Sequence, residues 1–315
     1  MSLDRRAMLA GLGLSGLAIA SPAFASVQGE RNGIVRVGYL PIEVCAEVFY
    51  AGELGIFKKA GLDVRLEAFS SPGAVSAALV GNSIDIGLVD IAGLIIAHGH
   101  NIPLVYLTNG QLFDENAPAY STIVPADSPL RDAKDFAGTF AVSSLSNIAA
   151  LGTLAWVDKH GGDSKRIKFV ESPFPIMADA VARHRVDAAV AVEPFLATAL
   201  DKGLRVIAPH NGIAKSYVLS GWVTTRSWAD SQPRAASAFA RAIYEAGRWA
   251  NRNHEASIPM LSKYTKMPPA TIGRMSRGTF AESTNVALAQ PVIDAAVTYG
   301  LVNSRFAAAE LYHLV

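Results

Sequence analysis

The sequence predicts an α/β protein of two lobes, each built on an open, mostly parallel β-sheet flanked by helices. The main observation is an internal repeat: residues 64–107 and 167–208 share the order strand, Ser-Pro corner, helix, apolar strand, helix and strand. Asp85 and Asp187 hold matching positions in the two copies. The apolar strand of each copy is a nearly continuous hydrophobic run, which is typical of a strand covered on both faces. Two such sheets facing each other would form a cleft, and a cleft indicates a ligand.

The spacing of apolar residues predicts alternating strands and helices in the first lobe. The predicted strands are 34–40, 61–69, 84–89 and 104–107, and the predicted helices are 44–54, 74–80 and 91–98. Gly55 follows the first of these helices, where a left-handed residue commonly ends a helix. Asp85 and Asp187 begin strands on the side away from the cleft, so we interpret both as structural.

Two crossings are predicted between the lobes. Residues 109–120 are polar and rich in turn formers, and they predict the first crossing. The second lobe is expected to open with a strand at 139–142 and a helix at 147–159, and then to contain the second copy of the repeat. Residues 217–225 are strand-like and predict the return crossing. Two crossings would form a hinge that allows the lobes to close.

The remainder of the chain is predicted to be helical and to pack on the first lobe. The predicted helices are 233–252, one that begins at 268, 293–299 and 306–314. The first lobe therefore comprises 33–110 and 221–315, and the second comprises 114–217.

Residues 1–25 have the pattern of an export signal. Arg5-Arg6 precedes an apolar stretch at 7–20, and Ala23-Phe24-Ala25 offers a cleavage site after Ala25. The apolar stretch is shorter than the about 20 residues that span a membrane. The paired arginines leave the twin-arginine route and the general route both open. We expect a periplasmic protein, with retention as a membrane anchor as the alternative.

Charge and cysteine content exclude several classes of protein. The formal net charge of +1 at pH 7 gives no attraction for a polyanion, so we expect no nucleic-acid partner. The chain has one cysteine, Cys45, which rules out an internal disulfide. Its apolar surroundings favour a buried thiol over a nucleophile.

Three segments carry a family resemblance: EPFLATALDKGLRVIA at 193–208, which follows VDAAVAV, FKKAGLDV at 57–64 and GNSIDIGLVD at 81–90. They resemble periplasmic substrate-binding proteins of ABC importers, in the group that includes nitrate, taurine, alkanesulfonate and thiamine-pyrimidine binders. The resemblance covers about residues 33–228. It implies the type II two-lobed periplasmic binding fold, no catalysis and no cofactor. It also implies a permease and an ATPase at the inner membrane as partners of a protein that we expect to be monomeric.

An enzyme on the same two-lobed fold is the alternative class. The yeast pyrimidine synthase belongs to the resembling group, consumes its own histidine and carries a cysteine-rich iron motif. A chain with Cys45 alone lacks that motif, which disfavours the alternative. His98-Gly99-His100 has no third ligand nearby in the predicted fold, so we expect no metal. A ligand-sensing adaptor that signals to a membrane receptor stays open.

Ligands of open α/β sheets bind beyond the carboxyl ends of the strands. Loops at those ends lead into helix N-termini, whose free N–H groups can hold acceptor atoms. Ten residues in these loops and on the return crossing are candidate ligand contacts: Tyr39, Glu43, Ser71, Gly73, Asp90, Ser144, Ser146, Asn147, Glu193 and Trp222.

Structural roles compete with ligand contact at most of these positions. One of Ser144, Ser146 and Asn147 is expected to cap the following helix, and Asp90 could cap another. Ser71 precedes a proline, so a turn role is open. Trp222 could line the cleft or lie in a core. The aromatic side chains of Phe174 and Phe195 carry the same two alternatives.

The acids among these candidates favour a particular ligand chemistry. Glu43, Asp90 and Glu193 lie in the chosen loops, which contain no Lys or Arg. Burying an anion beside unpaired carboxylates would be costly. We therefore predict a small polar, nitrogen-containing organic solute such as an aminopyrimidine-like thiamine precursor, with a sulfonate, taurine or nitrate as the alternative. A ligand that touches both lobes would favour the closed form.

Overall fold

Two five-stranded mixed sheets carry the fold in the computed structural model, which describes residues 33–114, 120–207 and 212–314. The predicted export signal at 1–25 lies outside the described residues. The strands, in chain order, are β1 (Ile34–Tyr39), β2 (Asp63–Ala68), β3 (Ile86–Asp90), β4 (Leu104–Asn109), β5 (Gln111–Asp114), β6 (Tyr120–Val124), β7 (Gly138–Val142), β8 (Ile167–Glu171), β9 (Ala188–Val192), β10 (Arg205–Ile207), β11 (Ser216–Val218), β12 (Ser220–Thr225) and β13 (Thr279–Phe280).

Helices flank both sheets. In chain order they are α1 (Ala46–Glu53), α2 (Ile56–Lys59), α3 (Pro72–Val80), α4 (Ile91–Gly99), α5 (Ile148–Lys159), α6 (Phe174–Ala182), α7 (Phe195–Asp201), α8 (Arg226–Ser231), α9 (Pro233–Ala250), α10 (His254–Thr265), α11 (Pro269–Arg274) and α12 (Gln290–Thr298). Of the helices that the structure describes, none combines the length and the apolarity of a membrane span.

The two sheets have the same topology. The first has the order β2-β1-β3-β12-β4 and the second has the order β8-β7-β9-β6-β10. In each sheet one strand runs against the other four, β12 in the first and β6 in the second. The predicted mostly parallel α/β sheets are therefore present in both lobes. A third, small sheet has the order β11-β5-β13.

The matching aspartates perform matching tasks. The Asp85 carboxylate accepts hydrogen bonds from the Arg36 backbone N–H at 2.9 Å and from Arg36 Nη2 at 2.7 Å. The Asp187 carboxylate accepts a hydrogen bond from the Thr139 backbone N–H at 2.7 Å. Each aspartate thus fixes the beginning of the neighbouring parallel strand, at the edge of its sheet opposite to the strands' carboxyl ends.

Buried aromatic side chains fill the core of each lobe. Trp222 of β12 is fully buried and meets Phe239 of α9 edge-on at 5.9 Å between ring centres. In the second lobe, Phe136 packs against Phe140 at 5.1 Å and Trp156 of α5 at 4.8 Å. Each lobe therefore has a hydrophobic core on its own sheet.

The predicted helix at 306–314 is wrong. Only a short 3₁₀ turn at Ala308–Leu311 forms, and the chain then runs beside β4, where the His313 N–H donates to the Tyr106 carbonyl at 2.9 Å. The periodicity of this segment is helical, but a hydrogen bond to a strand far along the chain decides its conformation.

The described part of the predicted crossing at 109–120 holds a strand that its composition does not indicate. It contains β5, which pairs with β11 and β13, and it ends where β6 begins at Tyr120. The helices after residue 233 contact both lobes, because Arg274 of α11 pairs with Asp201 of α7 at 2.7 Å. The expectation that they pack on the first lobe is therefore incomplete.

Candidate ligand-binding site

A cavity lies where the carboxyl ends of strands from both sheets meet. It holds about 630 Å³ of empty space, part of it open to solvent. Its walls are mainly apolar: Leu40, Ile42, Val44, Pro72, Leu88, Ile148, Ala149, Phe174, Val192 and Leu219. Polar groups are few: Asp90, Gln111, Tyr120, Ser143, Asn147 and Ser220. A largely apolar cavity with a few polar groups is suited to a small organic molecule.

Asp90 lines this cavity and lies between the N-termini of α4 and α5. Its Oδ1 accepts hydrogen bonds from Ala92 N at 3.1 Å and Gly93 N at 3.2 Å, which caps α4. The same oxygen accepts the Ile148 N–H of α5 at 3.0 Å, from the other lobe. Burial raises the pKa of Asp90 to about 6, although the backbone donors oppose the rise. One carboxylate oxygen thus uses the first free N–H groups of both helices.

Asn147 caps α5 on the opposite wall. Its Oδ1 accepts the Ala150 N–H at 2.9 Å, and its Nδ2 donates to Ser143 Oγ at 2.8 Å. Asn147 is therefore the cap among the three predicted candidates and also lines the cavity. Ser144 Oγ accepts the Ser146 N–H at 3.4 Å, and neither serine lines the cavity.

Glu193 is buried at the edge of the second lobe, where its carboxylate joins separate segments. Its Oε2 accepts the Ala197 N–H of α7 at 3.0 Å, and its Oε1 accepts the Ser276 N–H at 2.9 Å. Its backbone carbonyl accepts the Glu43 N–H of the first lobe at 3.2 Å. Burial raises the pKa of Glu193 to about 7, and repulsion from Glu43 adds to the rise. Glu193 does not line the cavity but connects the lobes behind it.

Glu43 is likewise buried behind the cavity. Its Oε2 accepts a hydrogen bond from Gln111 Nε2 at 2.6 Å, and its Oε1 accepts the Gly278 N–H at 3.3 Å. Burial raises the pKa of Glu43, while the nearby Arg277 charge and these two hydrogen bonds oppose the rise. Both of its oxygens therefore have donors within the protein.

The other predicted site residues lie outside the cavity lining. Ser71 and Gly73 are exposed, and Ser71 Oγ caps α3 through the Ala74 N–H at 3.3 Å. Tyr39 packs edge-on against Phe49 at 5.0 Å between ring centres. Trp222 is fully buried in the core, the second of its two predicted alternatives.

Gln111 and Ser220 are cavity residues that sequence reasoning missed. Both are buried, and Gln111 Oε1 and Ser220 Oγ have no hydrogen-bond partner among the described residues. They belong to the two predicted crossings, from which the sequence analysis selected Trp222 alone as a candidate contact. The predicted position of the crossings could have indicated these two residues, because segments that pass between two lobes form the floor of the cleft.

Glu47 is a further buried acid in the first lobe. Glu47 is fully buried, and its Oε2 accepts from Trp222 Nε1 at 3.4 Å. Its Oε1 has no partner among the described residues. Burial raises the pKa of Glu47 to about 8, so this carboxyl is largely protonated at neutral pH.

The described part of the chain contains no group of three or more His, Cys, Asp or Glu side chains arranged to hold a metal ion. His98 lies 3.5 Å from Glu310, between its Nε2 and the carboxylate Oε2. The contact with Glu310 on the surface therefore explains the position of His98 without a metal ion.

Solved structures share this architecture. The alkanesulfonate-binding protein SsuA from Xanthomonas axonopodis pv. citri, solved bound to MOPS, is 20% identical and aligns over 90% of this chain and 99% of its own with a TM-score of 0.75. The aliphatic sulphonate binding protein SsuA from Escherichia coli is 19% identical, with 89% and 92% of the chains covered and a TM-score of 0.72. The nitrate-binding protein NrtA from Synechocystis PCC 6803 is 18% identical, with 86% and 83% covered and a TM-score of 0.71.

These likenesses confirm the predicted fold class, the two-lobed periplasmic binding fold. The model of the NMT1-like family matches residues 28–260, which is more than half of the chain. The protein therefore belongs to the NMT1-like family, and the resemblance found in the sequence is confirmed. No curated protein matches the sequence.

Proposed function

We propose that this protein is a periplasmic solute-binding protein that captures a small organic molecule between its lobes and delivers it to an ABC importer. The observation that carries the proposal is the cavity at the carboxyl ends of both sheets, with the Asp90–Ile148 hydrogen bond at 3.0 Å across it. The fold it shares with solved sulfonate- and nitrate-binding proteins supports the transport role. The proposed partners are a permease and an ATPase at the inner membrane, and the protein acts as a monomer without a cofactor.

The proposed ligand contains nitrogen and presents N–H donors or a positive charge, as an aminopyrimidine-like thiamine precursor does. Among the described residues that line the cavity, none is Lys or Arg, whereas one, Asp90, is acidic. Helix N-termini commonly bind anions. Here the Asp90 carboxylate uses the N–H groups of α4 and α5 that an oxyanion would need. A bound sulfonate or nitrate would also meet this carboxylate, which opposes its entry.

A sulfonate, taurine or nitrate ligand is the second candidate within the same function. It is supported by the fold likeness to SsuA and NrtA, whose names state sulfonate and nitrate binding. For such a ligand to bind, the Asp90 side chain would have to leave the α5 N-terminus or take up a proton.

An enzyme on this fold is disfavoured by the state of the cysteine. Cys45 is fully buried, and its Sγ accepts the Leu40 N–H at 3.3 Å. Burial raises the pKa of the Cys45 thiol, so the reactive thiolate does not form near neutral pH. Cys45 is thus suited to packing rather than to nucleophilic catalysis.

A thermal-shift panel tests the proposed function and its ligand class. The panel contains aminopyrimidines, small amines, alkanesulfonates, taurine and nitrate, each added to the purified protein. We expect aminopyrimidines or amines to raise the melting temperature, because a ligand at about 100 times its Kd adds about 2.7 kcal/mol of stability. Stabilisation by sulfonates or nitrate alone would refute the nitrogen-containing ligand. If no member of a wide solute panel stabilises the protein, the binding function itself is wrong.

A further inference from the structure

Two residues that line the cavity carry buried side-chain oxygens with no partner within the described chain: Gln111 Oε1 and Ser220 Oγ. The side chains are 0% and 1% exposed, and both residues line the cavity. Buried polar atoms are nearly always hydrogen-bonded, because an unmade bond leaves the cost of desolvation uncompensated. Two such atoms on one cavity wall therefore point to donors that arrive with a ligand.

The two residues are neighbours in space. The Gly110 N–H donates to the Ser220 carbonyl at 2.8 Å, and the Leu219 N–H donates to the Gln111 carbonyl at 3.0 Å. These backbone hydrogen bonds hold the chain before β5 and β12 side by side, so the two lining residues are close to each other. A single functional group of a ligand can engage them together.

Glu43 fixes which end of the Gln111 amide faces the cavity. The Glu43 carboxylate accepts the Gly278 N–H at 3.3 Å through one oxygen and Gln111 Nε2 at 2.6 Å through the other. A carboxylate only accepts hydrogen bonds, so the NH₂ group of Gln111 must point to it. The Oε1 atom is then the group left for the cavity. Glu43 is thus a positioning residue, although it does not line the cavity itself.

We propose that Gln111 and Ser220 form the recognition end of the cavity and select a ligand with an N–H donor on an otherwise apolar body. Gln111 Oε1 accepts from the ligand, and the Ser220 hydroxyl, which can both donate and accept, binds the adjacent atom. An amino group beside a ring nitrogen presents such a donor and acceptor side by side. This inference rests on the proposed function and assigns its specificity to two neutral side chains rather than to the acids.

The test compares two probes of equal shape, 4-aminopyrimidine and 4-methylpyrimidine, by calorimetric titration of the purified protein. In the second probe a methyl group replaces the amino donor. We expect the unaltered protein to bind 4-aminopyrimidine at least about tenfold more tightly, since an unpaired buried acceptor disfavours the methyl compound. In Ser220→Ala and in Gln111→Met this preference should fall to about threefold or less, as expected when one of two hydrogen bonds is lost.

Thr108→Val is the matched control. Thr108 is fully buried in β4 and its Oγ1 also has no partner among the described residues, but it does not line the cavity. This substitution should leave the preference unchanged. Ser220→Ala removes a single hydroxyl and keeps the proposal testable if Gln111→Met fails to fold.

Three results would overturn the inference while leaving solute binding intact. These are equal affinity of the unaltered protein for the two probes, a preference that survives in both variants, and binding of methanesulfonate with neither pyrimidine bound. Absence of binding by every solute in the panel would instead overturn the proposed function, and this inference with it.

Discussion

At the scale of single residues, the carboxylates near the cavity are already engaged by the protein. Glu43 and Glu193 each accept hydrogen bonds through both oxygens: Glu43 from one side-chain and one backbone donor, and Glu193 from two backbone donors. The sequence predicted that they would contact the ligand, because their loops follow the carboxyl ends of strands. In place of basic side chains, backbone N–H groups from a distant loop bind the two carboxylates: Gly278 N–H binds Glu43 and Ser276 N–H binds Glu193. Among these three acids, Asp90 alone lines the cavity.

Glu47 makes the stability of the protein depend on pH. Its folded-state pKa is about 8, against an ordinary value of 4.5 in the unfolded chain. Between these values the folded state holds a proton that the unfolded state has lost, so stability falls as pH rises. The loss is about 1.4 kcal/mol per pH unit and ends above the folded-state pKa. Glu47→Gln should lose this part of the fall, as measured by urea denaturation between pH 5 and pH 9. Asp90 and Glu193, whose pKa values are raised to about 6 and about 7, should keep their own parts.

Glu255→Gln is the control for this measurement, since Glu255 is exposed in the first turn of α10. It should keep the pH dependence of the unaltered protein. An identical slope in Glu47→Gln and the unaltered protein would contradict the assignment of the titration to Glu47.

At the scale of elements, α4 and α5 share one acceptor at their N-termini. Asp90 caps α4 and also binds the first N–H of α5, whose own cap is Asn147. Sequence reasoning presented capping and ligand contact as alternatives at these positions. In the structure, Asp90 and Asn147 each cap a helix and also line the cavity. A loop at the carboxyl end of a strand must begin the next helix and border the cleft at the same time.

Replacing Asp90 should cost more than the loss of an ordinary helix cap. Asp90→Ala removes three hydrogen bonds to backbone N–H groups, one of them from the other lobe. Ser71→Ala removes a single cap bond, which is typically worth about 1 kcal/mol. We expect Asp90→Ala to lower the free energy of unfolding by about 2–3 kcal/mol, because bonds to charged acceptors are stronger. The free energy of unfolding is measured by denaturant titration. Equal losses of this free energy in the two variants would show that the contact to α5 does not stabilise the protein.

The elements that sequence analysis predicted well are those with a local cause. The strands and helices of the repeat carry their own apolar periodicity, and Gly55, with a φ of 69°, marks the end of the first helical segment. The strand β5 was missed and the helix at 306–314 was wrong. Both segments take their conformation from pairing with distant strands, which is not visible in a local pattern.

At the scale of the whole molecule, polar contacts join the two lobes. Asp90 binds Ile148 N, Glu193 binds Ser276 N, and Arg274 pairs with Asp201. We propose that the crossings near 110–114 and 217–221 act as the hinge between lobes comprising 33–110 with 221–315, and 114–217. A ligand that touches both walls binds the closed form better and can shift the population towards closure.

Closure should be visible by small-angle X-ray scattering. The radius of gyration of the protein is expected to fall when a stabilising solute from the thermal-shift panel is added, because the bound ligand draws the lobes together. A solute that does not raise the melting temperature is the control and should leave the curve unchanged. Tight binding without compaction would contradict capture by closure.

The sequence by itself determined the two-lobed α/β class, because strand and helix periodicities and their repetition are local properties of the chain. It also determined where the cleft would lie, since the carboxyl ends of parallel strands share one edge. Only the tertiary structure decided which polar atoms there remain free for a ligand. Gln111 Oε1 has no partner within the described chain, whereas Glu43 holds the Gln111 amide nitrogen, and Glu43 is held in turn by Gly278, which is 235 residues away in the chain. Such contacts depend on how distant segments pack, and no local pattern of residues encodes them.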